Sequence, residues 1–229
     1  IKDLYAERIY EIQEIKSPQG YELNEDVIKF RTKIDENGNI QAEKIDGESK
    51  TDFIVNDKII SITVEDVPLS TLNILKQDTN GTAIEDIRFE ITGKGYQNRA
   101  MITNSKGIAT IRELYPNEEY TIKEVKADGY YIADGELKFV IEQAGENYNL
   151  RVIEDTLNVL ELTSGRTENN LASFQIKLQN EKIPTYNLEI LKTDKDTDEP
   201  LSNAQFTLKS LDSNDEKYYT TNESGIIDV

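Results

Sequence analysis

Short runs in which apolar and polar residues alternate dominate this sequence, and Gly, Asn, Asp and Pro break them. Alternation of period two puts every second side chain on one face of a β-strand. The run Leu72-Asn-Ile-Leu-Lys-Gln-Asp78 sets Leu72, Ile74 and Lys76 on one face. Between residues 69 and 183 the pattern predicts strands near 70–77, 87–92, 99–103, 108–112, 119–126, 137–142, 149–153 and 172–180. Asp35-Glu-Asn-Gly-Asn39 and Asp78-Thr-Asn-Gly81 are turns by composition. The stretch 145–172 is less regular. Leu157–Leu162 fits a strand or a short helical turn, and Ser164-Gly-Arg-Thr-Glu-Asn-Asn170 reads as a loop. The fold class is all-β.

The pattern also repeats. Tyr10-Glu-Ile-Gln-Glu-Ile-Lys-Ser-Pro-Gln-Gly-Tyr21 matches Tyr120-Thr-Ile-Lys-Glu-Val-Lys-Ala-Asp-Gly-Tyr130. The lysine strand returns as Leu188-Glu-Ile-Leu-Lys-Thr-Asp194, and Asn104-Ser-Lys-Gly107 returns as Asn222-Glu-Ser-Gly225. The period is about one small β domain, but the phase is offset. Residues 1–67 carry the C-terminal half of a unit, 68–184 a complete one and 185–229 the N-terminal half. Val67-Pro68 and Ile183-Pro184 are short joints between them, too poor in Gly and Ser to be flexible.

Three apolar faces finish in a polar group. Leu72 and Ile74 lead to Lys76; Tyr120 and Ile122 lead to Glu124; Phe174, Ile176 and Leu178 lead to Asn180. The half units repeat the rule with Leu188 and Ile190 before Lys192, Tyr10 and Ile12 before Glu14, and Ile60, Ile62 and Val64 before Asp66. A single strand-end lysine or glutamate is ordinarily a solvated edge residue. The same trio in both copies asks for a chemical reason. Burial lowers the pKa of an amine and raises that of a carboxyl group. A neutral lysine can attack a carboxamide carbon while a protonated glutamic acid polarises the carbonyl and passes a proton to leaving ammonia.

Composition narrows the choices. Twenty-six Lys and Arg against 44 Asp and Glu give a formal charge of −18, which argues against nucleic acid and anionic membrane surfaces as partners. Cysteine and histidine are absent, so disulfides, thiol catalysis and Cys/His zinc sites are excluded. No apolar run reaches the ~18 residues of a membrane span. Asp194-Lys-Asp-Thr-Asp198 resembles the start of a calcium loop but lacks the later Gly and Glu, so no metal and no cofactor are expected.

The ordered motifs resemble the Cna B-type, SpaA-like prealbumin-fold domains of Gram-positive surface proteins and pilins. Lys192-Thr-Asp194 followed by Pro200-Leu-Ser-Asn-Ala-Gln-Phe-Thr-Leu208 fits closely, as does Glu14-Ile-Lys-Ser-Pro-Gln-Gly-Tyr21. The middle unit is looser: Ala83-Ile-Glu-Asp-Ile-Arg-Phe-Glu-Ile91 lacks the proline, and Ala127-Asp-Gly129 replaces the proline step. The resemblance implies tandem Ig-like, transthyretin-type sandwiches with intramolecular Lys–Asn or Lys–Asp isopeptide bonds helped by a glutamate. Carried over by position, these are Lys76, Glu124 and Asn180 in the middle unit, and Lys192, Glu14 and Asp66 in the split one. Asp66 stands where the family usually has Asn and would lose water rather than ammonia.

These expectations describe a stalk or fibre module of a cell wall-anchored, extracellular adhesin or pilus, with its anchoring signal outside this segment. Its chemistry is at most a single self-modification, not enzymatic turnover. The partners are neighbouring repeats or copies of the same chain. The alternative is a ligand-binding adhesin domain that recognises a host protein or glycan through the 145–172 stretch. The plainer view of the phase is one period of a longer array. The other is head-to-tail assembly, since Gly225-Ile-Ile-Asp-Val229 read into Ile1-Lys-Asp-Leu4 reproduces Gly107–Leu114 with one extra residue.

Overall fold

A computed structural model describes residues 4–46, 53–56, 59–213 and 215–228. The described chain is all-β. It divides into two compact units, Ile1–Lys182 and Ile183–Val229. The junction read from residues 226–229 into 1–4 lies partly outside the described residues.

Residues 1–67 contribute β1 (Ile9–Gln13), β2 (Val27–Ile34), β3 (Ile40–Asp46), β4 (Phe53–Asn56) and β5 (Ile59–Ile62). β1, β2 and β3 form an antiparallel sheet, and β4 pairs with β5. Ile28, Phe30 and Thr32 on β2 are buried, while Tyr10 stacks on Phe30 at 5.6 Å. The Asp35–Asn39 turn closes the β2–β3 hairpin: the Gly38 amide donates to the Asp35 carbonyl and the Asp35 carboxylate accepts the Asn37 and Asn39 amides.

The middle of the chain supplies β6 (Ser70–Asp78), β7 (Arg88–Gly93), β8 (Tyr96–Ile102), β9 (Ile108–Leu114), β10 (Glu119–Lys126), β11 (Glu136–Ala144), β12 (Asn147–Asp155), β13 (Glu161–Arg166) and β14 (Ala172–Asn180). Two sheets result, ordered β13-β14-β6-β9 and β12-β11-β10-β7-β8. Their inner faces share one core, from Leu72, Ile74, Phe174 and Ile176 on the first to Phe89, Ile91, Tyr120, Ile122 and Phe139 on the second. The first and last strands, β6 and β14, are parallel neighbours, with Leu72 beside Phe174, Ile74 beside Ile176 and Lys76 beside Leu178.

Every strand expected in this part is present. The 145–172 stretch, however, is not an irregular loop. β12 runs through Asp155, and the expected loop at Ser164–Asn170 is strand as far as Arg166. β13 is an edge strand exposed along its whole length, so its side chains carry no alternation. Its backbone pairing with β14, from Glu161–Lys177 to Arg166–Ala172, makes it a strand.

The N-terminal strands dock on the middle sandwich within Ile1–Lys182. The Leu69 amide donates to the Gly20 carbonyl at 2.8 Å, and the Glu22 amide donates to the Val67 carbonyl at 2.9 Å. Lys94 adds a 4.2 Å approach to the Tyr115 ring and ion pairs with Glu22 and Glu118 at 3.5 Å each.

The unit Ile183–Val229 contains β15 (Glu189–Leu191), β16 (Gln205–Lys209), β17 (Glu216–Thr220) and β18 (Ile226–Asp228). β15 pairs with β18 and β16 with β17, two short ladders where the middle sandwich has β6 with β9 and β7 with β8.

A buried lysine, glutamate and asparagine

Lys76 ends the apolar face of β6 and is fully buried. Its backbone is clamped on both sides: its amide donates to the Gly107 carbonyl at 2.7 Å, and its carbonyl accepts the Ile84 amide at 3.0 Å. Gly107 has φ +72°, and a Cβ there would stand 2.3 Å from the Lys76 carbonyl oxygen. That approach admits only glycine without a backbone shift. Asn180 ends the face of β14 two residues beyond Leu178, the register partner of Lys76. Glu124 comes from the opposite sheet. It lies on β10 where the pairing with β7 slips a residue, between Glu124 and Lys126.

The three side chains meet. Lys76 Nζ lies 2.6 Å from Glu124 Oε2, with neither side chain exposed. Asn180 Nδ2 donates to Glu124 Oε1 at 2.5 Å, and the Ala133 amide donates to the same oxygen at 3.3 Å. The Lys76–Glu124 contact is off the angles of a hydrogen bond, and neither Nζ nor Oε2 has another hydrogen-bond partner. The Phe89 ring lies 5.8 Å from Nζ. Burial pulls the Lys76 pKa below its ordinary value, and the neighbouring Glu124 opposes that shift without overcoming it. The site therefore holds an amine biased toward its neutral form, a carboxyl group touching both partners and a carboxamide, all screened from water. The Phe89 ring and the Ala133 amide were not legible as parts of it. Phe89 reads as one more core aromatic, and a backbone amide carries no sequence signal.

The equivalent residues of the split unit fall in both units of the chain, Glu14 and Asp66 in Ile1–Lys182 and Lys192 in Ile183–Val229. Lys192 repeats the clamp of Lys76, donating to Gly225 at 2.8 Å and accepting from Leu201 at 2.8 Å, yet it is exposed. Glu14 is half-buried and accepts the Asn24 amide at 2.8 Å, as Glu124 accepts that of Ala133. Asp66 is half-buried; the loss of hydration, then the charge of Glu14, pushes its carboxyl pKa up. The expected strand through Ile60, Ile62 and Val64 to Asp66 stops at Ile62. β14 continues to Asn180 because β6 runs beside it, whereas among the described residues β5 pairs with β4 alone. The acidic run at Asp194 is a turn: the Asp194 carboxylate accepts the Asp196 and Thr197 amides.

The family described as SpaA, prealbumin-like fold domain, matches residues 70–156 and 186–229. The chain belongs to this family. Among solved structures, a C-terminal fragment of the pilus adhesin SpaC from Lactobacillus rhamnosus GG is similar at 19% identity over 80% of each chain, with a TM-score of 0.45. The streptococcal ancillary pilin is similar at 14% identity over 96% of this chain and 62% of its own, TM-score 0.44. The shaft pilin SpaA of Lactobacillus rhamnosus GG is similar at 13% identity over 70% of this chain and 81% of its own, TM-score 0.38. The match spans only 25% of a longer SpaC adhesin chain. No curated protein matches the sequence. The SpaA-type middle sandwich thus carries all three of its expected site residues in contact through Glu124.

Proposed function

We propose that this SpaA-type chain is a load-bearing module of a pilus or adhesin fibre on a bacterial cell wall, and that Lys76 and Asn180 become joined by an amide. The observation that carries this is the dry contact of Lys76 and Asn180 with the two oxygens of one carboxyl group. The neutral Nζ attacks Cγ of Asn180. Glu124 takes the proton that Nζ sheds and delivers it to the departing nitrogen, which leaves as ammonia. One N–C bond forms and one breaks, and Glu124 ends as it began. Close packing supplies the effective concentration, so one turnover in the lifetime of the chain suffices.

The position of the bond gives it a mechanical sense. The sandwich is entered at β6 and left at β14. An amide from Lys76 to Asn180 would lead tension from the entering strand straight into the leaving one, and the chain between them would not be stretched. Intact mass tests the reading: the protein should weigh ~17 Da less than its sequence, the mass of one ammonia lost in acyl transfer. Glu124→Ala should restore the full mass. A wild-type chain with no deficit overturns the bond. The alternative adhesin reading would place its binding surface on strands, because 145–172 is largely β12 and β13.

A further inference from the structure

Glu124 and Asn180 both lie where regular pairing runs out. The β10–β7 ladder slips at Glu124, and β13 accompanies β14 only as far as Lys177. One segment ties these two ends together. After β10 the chain turns, with the Tyr130 amide donating to the Ala127 carbonyl at 3.0 Å, and crosses to the far end of β14. There Tyr130 bridges to Lys182, and the Tyr131 amide donates to the Glu181 carbonyl at 2.9 Å. Two residues on, the Ala133 amide donates back to Glu124 Oε1 at 3.3 Å. Tyr130 and Ala133 pack against the core as the segment passes over it. Residues 127–133 thus hold a carboxyl group from one sheet and the residue after Asn180 from the other.

The same connection follows Glu14. A left-handed glycine stands directly before the tyrosine in each, Gly20 at φ +87° and Gly129 at φ +77°. Tyr21 bridges to Pro68 as Tyr130 does to Lys182. The residue after each tyrosine donates its amide to the carbonyl that follows Asp66 or Asn180: Glu22 to Val67, and Tyr131 to Glu181. The third residue after each tyrosine donates to the glutamate, Asn24 to Glu14 at 2.8 Å and Ala133 to Glu124. The side chains have little in common: Glu22, Leu23 and Asn24 stand in one, Tyr131, Ile132 and Ala133 in the other. What recurs is a pair of backbone donors at fixed steps from a tyrosine, aimed at a glutamate and at the end of the closing segment.

We propose that residues 127–133 are a positioning strap for amide formation, which sets the Glu124 carboxyl group and the Asn180 carboxamide against each other through the Ala133 and Tyr131 amides. This role rests on the Lys76–Asn180 reaction. Glu124 Oε1 accepts two N–H groups, from Asn180 and from Ala133, while Oε2 has no hydrogen bond and lies 2.6 Å from Lys76 Nζ. The Ala133 amide therefore holds the carboxyl plane in the orientation that offers Oε2 to the amine and Oε1 to the carboxamide. The Tyr131 bond fixes the chain one residue past Asn180, where β13 no longer accompanies β14. The strap touches neither reacting atom. It acts through Glu124 and through the backbone beside Asn180, and a misplacement of about 1 Å in such an alignment costs about a hundredfold in rate.

Intact mass followed over time in the freshly made 229-residue chain, well below its unfolding temperature, tests the strap. A Cβ on Gly129 would meet nothing within 4 Å, so a substitution there strains the backbone of the strap and clashes with nothing. Gly129→Val puts a β-branched residue in left-handed backbone and should slow the ~17 Da loss about tenfold or more. Gly129→Asn, which accepts that backbone, should convert within about twofold of wild type. The donor itself gives the same contrast if Gly129→Val does not fold. Ala133→Pro deletes the amide and should slow conversion about tenfold or more, whereas Ala133→Gly keeps it and should not. The near-ultraviolet circular dichroism of the tyrosines should be that of wild type in each folded variant. Folded Gly129→Val and Ala133→Pro chains that convert at the wild-type rate overturn the strap and leave the bond standing. So does equal slowing by Gly129→Asn or Ala133→Gly, which keep the strap's backbone. A wild-type chain that retains its full mass overturns the bond and the positioning role with it.

Discussion

Lys76 and Lys192 begin from the same local instructions and end in opposite environments. Both follow a Leu-x-Ile-Leu strand, both are clamped between a Gly carbonyl and a Leu or Ile amide, and both have a positive-φ glycine packed against their carbonyl. Lys76 is fully buried against Glu124, and Lys192 is exposed. The motif therefore sets the backbone and nothing more. The core is set by partners far along the chain: β14 runs beside β6, and β10 faces it from the second sheet. The chemistry follows the cover, because burial is what pulls the Lys76 amine below its ordinary pKa.

The sharpest break in this comparison is Lys76→Ala set beside Lys192→Ala. The first would remove the proposed Lys76–Asn180 amide, which would close a loop of about a hundred residues and be worth ~4.7 kcal/mol in the chain-entropy model. It also leaves the buried Glu124 carboxyl without its Lys76 neighbour, and stranding a buried polar group costs about 1–3 kcal/mol. The two effects overlap, so a loss on the order of 5 kcal/mol is expected in guanidinium unfolding of the middle sandwich. Lys192→Ala, measured in dilute monomer, should stay within about 0.5 kcal/mol. Equal losses for the two variants would mean that Lys192 is already covered within its own molecule.

That contrast also marks where the sequence stops being readable. In the middle unit alternation located every strand whose inner face reaches the core, and the polar ends of three such faces picked out Lys76, Glu124 and Asn180. It failed at β13, whose six residues are all exposed. Glu161–Arg166 is a strand because β14 offers it a ladder, a fact recorded in residues 172–177 and not in its own side chains. It failed again at Val64 and Asp66, where the apolar spacing is right but no neighbouring strand extends β5 past Ile62. Period and spacing report which side chains share a face. They do not report whether another strand arrives to cover that face or pair with its edge.

Glycine offers a middle-sized test of the shared backbone. A Cβ on Gly107 would stand 2.3 Å from the Lys76 carbonyl oxygen, and one on Gly225 would stand 2.5 Å from that of Lys192, both at φ +72°. Left-handed backbone costs a non-glycine residue about 1–2 kcal/mol before any clash. Gly107→Ala and Gly225→Ala should therefore both destabilise their own units by about 2 kcal/mol, read by thermal unfolding. In Gly107→Ala the displaced Lys76 strand should also slow amide formation, seen as full-mass chain in fresh preparations. A Gly225→Ala chain as stable as wild type would show that the clamp on Lys192 is not held in solution.

The smallest effect separates the paired tyrosines. Tyr120 and Tyr10 each accept one backbone amide, but Tyr120 is 1% exposed and Tyr10 is only partly buried. Burial pushes the Tyr120 hydroxyl up to about 12, and the Tyr115 amide, which favours the phenolate, offsets only part of that shift. A pKa raised in the folded state favours folding of the protonated form. The stability it supports is whole below the unfolded value near 10 and declines as pH rises from about 10 toward 12, where the unfolded chain ionises first. At pH 11 the wild-type middle sandwich should be weaker by about 1 kcal/mol than at pH 8 through this group alone. Tyr120→Phe removes the group, so its deficit against wild type in urea should shrink by that amount between pH 8 and pH 11. A deficit that stays constant across the range would mean that water reaches the Tyr120 hydroxyl and that the core beneath the site is not dry.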